Sequence, residues 1–396
     1  MIGLGRDETE HVAAAVAQMV PPALVPLFDR RFTRSHMLFD EYVFRLVVRV
    51  FASAGLEAAV VDWVHAEDVI ARARLDPRCS VVPVDWMLRH LAAHGVLARN
   101  GSGKFRAERA LPALDPEPVL TEQRRHDAAC LPSYALADAA TRDYPAFLRG
   151  ERSGEDILLA PTRLPLWVGY FSNDNLLYAV NNRVGAIALE AWMSREASTI
   201  LELGGGLGSG ASAALERLAG AGRLAGLRSY RFTELVPAFL RRGQRLLQQQ
   251  FADAGFLTFA ALDMNRAFAE QGVAPASVSV VYAVNTLHVA HDLGFTLGEV
   301  RRALEPGGQL IVSECIRPWA GQTVYPEFVF NLLETFRAPK LDAAYRPNGG
   351  FLTPEQWTAA LTVAGFIDIG VLPDIARLRH VFSSFYVTAI GARRPG

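Results

Sequence analysis

Residues 200–210 read Ile200-Leu201-Glu202-Leu203-Gly204-Gly205-Gly206-Leu207-Gly208-Ser209-Gly210. Apolar positions surround Glu202 just ahead of a run of glycines. A helical pattern follows at once, at Ala211, Ala214, Leu215 and Leu218. Strand, glycine turn and helix in this order open a doubly wound, Rossmann-like α/β sheet. Glycine has no Cβ, so the backbone can turn tightly and approach a ligand closely. The helix that follows offers unsatisfied N–H groups at its start. Gly204, Gly206 and Gly208 are spaced G-x-G-x-G rather than G-x-G-x-x-G. No Gly-Lys-Ser/Thr follows, so this is not a phosphate-binding P-loop.

With Glu202 in the strand ahead of it, this stretch resembles motif I of class I S-adenosylmethionine (SAM) methyltransferases. The resemblance implies that the loop passes under the amino-acid end of SAM, with Glu202, Gly204, Gly206 and Gly208 as cofactor-binding positions. The chain beyond it continues the alternation of such a sheet. Residues 229–234 alternate like a strand and end in Glu234, placed to accept hydrogen bonds from both ribose hydroxyls of an adenosine ligand. Glu234 also reads as a helix N-cap ahead of Pro237. Residues 256–262 form a third strand, followed by Asp263-Met264, a pair that faces adenine in this fold. There Asp263 accepts from the amino group and Met264 packs on the ring, or serves as ordinary core. Residues 278–284 are a fully apolar fourth strand. Val284 and Asn285, at its end, complete the cofactor-binding set, and His288 starts a helix. Pro306-Gly307-Gly308 makes a turn into a fifth strand, residues 309–313, that ends in Glu314. Thr353, Pro354 and Gln356 form a helix start of the capping-box type. Residues 366–371 and 384–391 read as two last strands, antiparallel at the sheet edge. Residues 374–380 read as disordered chain or as part of the pocket.

The chain has 396 residues, 51% of them apolar, and a formal net charge of −1. The length suits two or three domains, and the charge gives no global attraction to nucleic acid or anionic lipid. No apolar run reaches membrane-spanning length. Asp7, Glu8 and Glu10 near the start argue against a signal peptide. Cys79, Cys130 and Cys315 are scattered without metal spacing, which fits a reduced, cytoplasmic setting and no metal site.

Residues 1–27 read as an amphipathic segment broken at Pro21-Pro22. Residues 39–54, 67–73 and 83–93 read as helices, the last with Pro83 near its start and Trp86, Met87 and Leu91 facing inward. Short extended pieces then flank Asn100-Gly101-Ser102-Gly103, a hairpin signal. Helix, helix and hairpin make a winged-helix-like domain. Winged helices often bind DNA through neutralised phosphates. Residues 1–110 hold 14 Lys/Arg against 13 Asp/Glu, and residues 83–93 carry no basic stripe. A domain that packs on the catalytic part, or forms a homodimer, is the reading the charge favours. Residues 121–149 are helical again, with breaks near Pro132 and Pro145. Residues 157–178, rich in aromatics and prolines, read as a lid or as the core of a domain junction, with Tyr170 as an acceptor contact.

The resemblance sharpens along the second half. Tyr230-Arg231-Phe232-Thr233-Glu234-Leu235-Val236-Pro237-Ala238-Phe239-Leu240, then Asn285-Thr286-Leu287-His288, Pro306-Gly307-Gly308 and Glu314, resemble the C-methyltransferase domains of polyketide synthases. The similarity is clearest over residues 131–318. In that family a His after the fourth strand and a Glu ending the fifth form a catalytic dyad, and His288 and Glu314 stand at the matching positions. The chain departs from the family in reading as free-standing, in Gly205-Gly206, and in Glu234 where Asp is frequent. The dyad also makes chemical sense. A carboxylate against one imidazole nitrogen fixes the tautomer and raises the basicity of the other. A carbon between two carbonyls needs such a base near neutral pH. The base is the favoured reading of His288, the alternative being a histidine that packs at a helix start, and His291 reads as surface. In these enzymes an insertion after the fifth strand walls the acceptor pocket. Here residues 316–352 supply Trp319, Tyr325 and Phe328, while Arg346 could meet a carboxylate, a phosphate or a surface acid.

The expected domains are a helical, winged-helix-like part (1–118), a connector and lid (119–180) and a SAM-dependent methyltransferase domain (181–396). The expected reaction is C-methylation of a small-molecule or carrier-bound, polyketide-like acceptor, without a nucleic-acid or membrane partner. O-methylation of a phenolic or hydroxyl acceptor is the second reading. A SAM-sensing, DNA-binding regulator is the third.

Overall fold

Phe32, Leu38, Phe39, Tyr42, Val43, Leu46, Val47, Val50 and Phe51 recur at helical spacing and are all buried. They form the inner face of a long helix in the computed structural model, which describes residues 6–194, 198–252 and 254–396. Residues 1–5 of the amphipathic segment lie outside the described residues. The chain forms two units: residues 1–9, 30–170 and 319–338, and residues 10–29, 171–318 and 339–396. A first helix, α1 (Arg6–Met19), ends just ahead of Pro21-Pro22.

The first unit is built on α2 (Arg30–Ser53), α3 (Ala66–Arg72), α4 (Pro77–Ala93), α5 (Glu117–His126) and α6 (Leu131–Leu148). After α4 a two-residue-per-strand hairpin pairs Ala98 with Arg106 and Arg99 with Phe105, and Val64 bridges to Phe105. Helix α4 begins six residues earlier than Pro83 suggested. Asp76 accepts from the Arg78 N–H (3.0 Å) and Pro77 fills the first turn, a stronger start signal than an internal proline. The break in the next helical stretch falls at Asp127. Its carboxylate accepts from the Ala129 N–H and takes a bidentate pair from Arg31, both contacts 2.9 Å. Helix α6 runs through Pro145, which removes one backbone donor from its last turn.

The second unit holds a seven-stranded sheet: β1 (Ser198–Leu203), β2 (Leu227–Thr233), β3 (Leu257–Ala260), β4 (Val278–Val284), β5 (Leu304–Cys315), β6 (Ile367–Leu372) and β7 (Val387–Arg393). Their spatial order is β3-β2-β1-β4-β5-β7-β6. The first five are parallel, β7 is antiparallel to β5, and β6 is antiparallel to β7. Strand order reverses between β1 and β4, which creates the crevice where such sheets bind ligands. Helix α7 (Leu176–Trp192) leads into β1, and α8 (Ser209–Gly220), α9 (Pro237–Gln250), α10 (Leu293–Ala303) and α11 (Pro354–Val363) run between the strands. Helix α7 packs on β5 and β7.

Three local expectations change. Pro306-Gly307-Gly308 lies inside β5 rather than in a turn before it. Leu304 pairs with Val278 and Gln309 with Val280, so the extra residues form a bulge, with Gly307 at φ +78°. His288 sits in a 3-10 turn, Leu287–Val289; α10 starts later, at the Asp292 cap. Residues 374–380 contain an ordered helical turn, Ile375–Leu378, because Ile375 and Leu378 are buried in the core.

Candidate active site

The glycine run closes β1 and opens α8. Gly204, Gly206 and Gly208 have φ of +58°, +58° and +91°, the left-handed region that glycine enters without penalty. A Cβ on Gly204 would lie 2.1 Å from Thr286 Oγ1, and one on Gly205 2.2 Å from the Phe232 ring. Gly206 instead opens on space. Its N–H donates to Glu234 Oε2 (2.9 Å), while Glu234 Oε1 accepts from the Val236 N–H (2.7 Å). Burial pushes the Glu234 carboxyl up, against the pull of these N–H groups.

Glu202, next to last in β1, is 1% exposed. Burial pushes its carboxyl up to about 8; the Tyr230 hydroxyl pulls the other way and Glu234 adds to the rise. Asn182 of α7 donates to Asn173 Oδ1 (2.8 Å). A Cβ on Gly210 would lie 3.5 Å from Glu202 Oε1 and 3.6 Å from Asn182 Oδ1, so both side chains converge under the first turn of α8. Glu202 Oε2 and Asn182 Oδ1 are buried acceptors without a partner among the described residues.

On the other side of the crevice Asp263 is half-buried, and its Oδ1 accepts from the N–H (2.9 Å) and Nδ2 (3.2 Å) of Asn265. The Met264 carbonyl accepts from Thr296 Oγ1 (3.0 Å). Val284 ends β4. Asn285 follows at φ +49° and braces the sheet edge, its N–H donating to the Ser313 carbonyl and its Oδ1 accepting from the Cys315 N–H, both 2.8 Å. That oxygen therefore serves the fold.

His288 Nδ1 and Glu314 Oε2 are 2.6 Å apart. Glu314 is fully buried, and its Oε1 accepts from the N–H groups of Leu287 (2.9 Å) and Thr286 (3.3 Å). The carboxylate is thus fixed by the turn that carries the imidazole. A carboxylate on Nδ1 fixes the imidazole tautomer and raises the basicity of the other ring nitrogen. The Phe351 ring lies 4.8 Å from the imidazole.

The five expected acceptor contacts are divided between the two units. Arg346 belongs to the second unit and is fully buried; it donates through Nη1 to the Ala290 carbonyl (2.7 Å) and through Nη2 to that of His288. Tyr170, Trp319, Tyr325 and Phe328 belong to the first unit. Tyr325 packs on Phe39 (4.9 Å) and His36 (5.1 Å), and Phe328 stacks on Tyr144 (5.0 Å). Both are under 4% exposed, the usual fate of side chains with so much apolar area. Tyr170 meets Trp167 edge-on, and Trp319 is half-buried. Sequence reasoning missed Asn182 and Tyr178. Burial raises the Tyr178 hydroxyl, which is bonded to Ser209 and lies within electrostatic reach of Cys315, Glu202 and Glu314. Their signal was a Tyr and an Asn four apart, one helical turn, inside a largely apolar helix.

Residues 201–310 match the family model described as a methyltransferase domain. The chain is 30% identical over 293 residues to the polyketide synthase ThaG of Burkholderia thailandensis, which is 72% of this chain and 5% of that protein. It therefore spans a small fraction of that relative's length. Its fold is similar to that of the CurJ carbon methyltransferase (TM-score 0.75, 23% identity, 98% of this chain and 100% of that one). It is also similar to the trans-methyltransferase CalH in its complex with SAH (TM-score 0.60, 21% identity, 91% and 92%). The fold and these matches define a class I SAM-dependent methyltransferase, with SAM as cofactor. Within that class the chain resembles the C-methyltransferase domains of polyketide synthases. The site fits the cofactor: an α-ammonium suits two buried, partnerless acceptors, one of them a carboxylate, beside a loop whose Gly206 opens on space.

Proposed function

We propose that the protein methylates the carbon between the two carbonyls of a β-ketoacyl thioester, with His288 as the base. The acceptor class follows the polyketide-synthase character of the relatives; a thioester is how a carrier-bound acyl chain would arrive. Glu202 and Asn182 would hold the amino-acid end of SAM, Glu234 the ribose, and Asp263 with Met264 the adenine. The cofactor supplies an electrophilic methyl group on sulfur. His288 Nε2 takes the acidic C–H proton, leaving the electron pair on carbon delocalised over both carbonyls. Glu314 holds the imidazole in the tautomer with the proton on Nδ1 and stabilises the imidazolium. The observation that carries this reading is the 2.6 Å contact between His288 Nδ1 and a buried carboxylate pinned by two N–H groups.

The test is incubation with SAM and a β-ketoacyl thioester of pantetheine, read by mass spectrometry and NMR. The expected product carries the new methyl on carbon. In His288→Ala turnover should fall by about 10²–10⁴-fold, the range of general-base catalysis, with SAH binding retained. Undiminished turnover in that variant would remove the base assignment, and a methyl on oxygen would replace C- by O-methylation.

A further inference from the structure

Residues 339–352 form a strap over the turn that carries His288. The Lys340 N–H donates to the His291 carbonyl (2.7 Å), and Lys340 Nζ pairs with Asp292 (2.7 Å). Asp342 and Arg346 close a small loop through reciprocal backbone bonds of 3.0 and 2.8 Å. The strap's far end is tied down by Arg317, whose Nη2 donates to the Gly349 carbonyl (3.0 Å) and whose N–H donates to that of Leu352 (3.1 Å). Between these anchors Arg346 reaches inward and binds the carbonyls of His288 and Ala290.

A guanidinium is an expensive choice for this task. Arg346 is fully buried, its Nε has no partner, and no carboxylate lies within ion-pair distance of it among the described residues. A buried cation without a contacting counter-ion is strongly penalised, and an apolar side chain of similar length would fill the space without that cost. The groups that face it are Glu314 from β5, Tyr345 beside it on the strap, and Asp292 from the turn. Asp292 is already neutralised by Lys340. Among the described residues Glu314 has N–H groups and an imidazole but no Lys or Arg ion pair. Arg346 and Glu314 therefore compensate each other through the backbone of the residue they flank. Burial lowers Arg346 only to about 10, so it stays charged at neutral pH.

We propose that Arg346 is a positioning residue for the His288–Glu314 pair. Its fork fixes the 288–290 backbone so that the imidazole stays on Glu314. This rests on the reading of His288 as base.

The test compares Arg346→Met, which keeps bulk but loses charge and donors, with Arg346→Lys, which keeps charge but loses the fork. The readouts are kcat and KM for the acceptor, the SAH dissociation constant, and the downfield NMR resonance of the His288 Nδ1 proton, the signature of its hydrogen bond to Glu314. In Arg346→Met that resonance should be lost, and kcat should fall by about tenfold or more, while KM for the acceptor and SAH affinity change little. Arg346→Lys should leave kcat reduced as well, because a single ammonium cannot bridge both carbonyls. A retained resonance, or a wild-type kcat, in Arg346→Met would overturn the proposal. If Arg346→Met fails to fold, a wild-type kcat in Arg346→Lys would overturn the positioning by the fork. The NMR signature needs no turnover, so it stays informative if His288→Ala proves fully active and the base assignment fails.

Discussion

Glu202 is a carboxyl group whose folded-state pKa, about 8, lies far above its ordinary 4.5 because burial removes it from water. Between those values the folded, ligand-free protein binds more protons here than the unfolded chain does. The group therefore favours folding below about pH 4.5, and that contribution is lost as pH rises through about 8. An ammonium against the carboxylate favours the ionised form and expels the proton. SAH affinity should strengthen with rising pH up to about 8, and calorimetry in buffers of different ionisation enthalpy should detect proton release. Glu202→Gln should flatten this dependence; an unchanged slope would show that another group takes up the ammonium. Glu202 was legible in the sequence as the acid ahead of the glycines. Its unpartnered oxygen was not, because that depends on Asn182 and Gly210 arriving from two helices.

Helix α11 shows how much an element can encode locally. Gln356 N–H donates to Thr353 Oγ1 (3.2 Å), and the Thr353 N–H donates to Gln356 Oε1 (2.8 Å). Pro354 fills the first turn, and Trp357 and Leu361 turn inward at helical spacing. Replacing Thr353 by Ala should cost about 0.5–2 kcal/mol, measurable as a lower denaturant midpoint with unchanged slope. An equal midpoint would mean that packing of Trp357, rather than the cap, sets the helix start. The strand β5 shows the opposite case. Pro306-Gly307-Gly308 has the composition of a turn, yet Leu304 and Gln309 on either side of it pair with β4, and Gly307 and Gly308 exchange backbone bonds with Arg394 just beyond β7, so it becomes a bulge in the sheet. Turn chemistry is local, but a strand's extent depends on partners elsewhere in the chain.

At the scale of the whole molecule the two units interleave in sequence, whereas the three contiguous stretches 1–118, 119–180 and 181–396 describe chain order. Residues 10–29 belong to the second unit; Leu24 and Phe28 are buried, and the Phe28 and Phe385 rings meet at 4.9 Å. A fragment covering residues 181–396 lacks that segment and the first turn of α7. It should show no cooperative thermal transition and no SAH binding by calorimetry, whereas the full chain shows both. SAH binding by the fragment would mean that residues 10–29 are dispensable for this core. The sequence by itself determined the order of strands and helices, the glycine loop, the capping box and the spacing of His288 from Glu314, because each is written in residues close together or in a repeating pattern. Only the tertiary structure decided that Arg346 serves the backbone of His288, that Asn182 joins Glu202, and that Tyr325 and Phe328 are core. Those outcomes depend on which distant segments meet and on how much water they exclude, and neither quantity has a local signature.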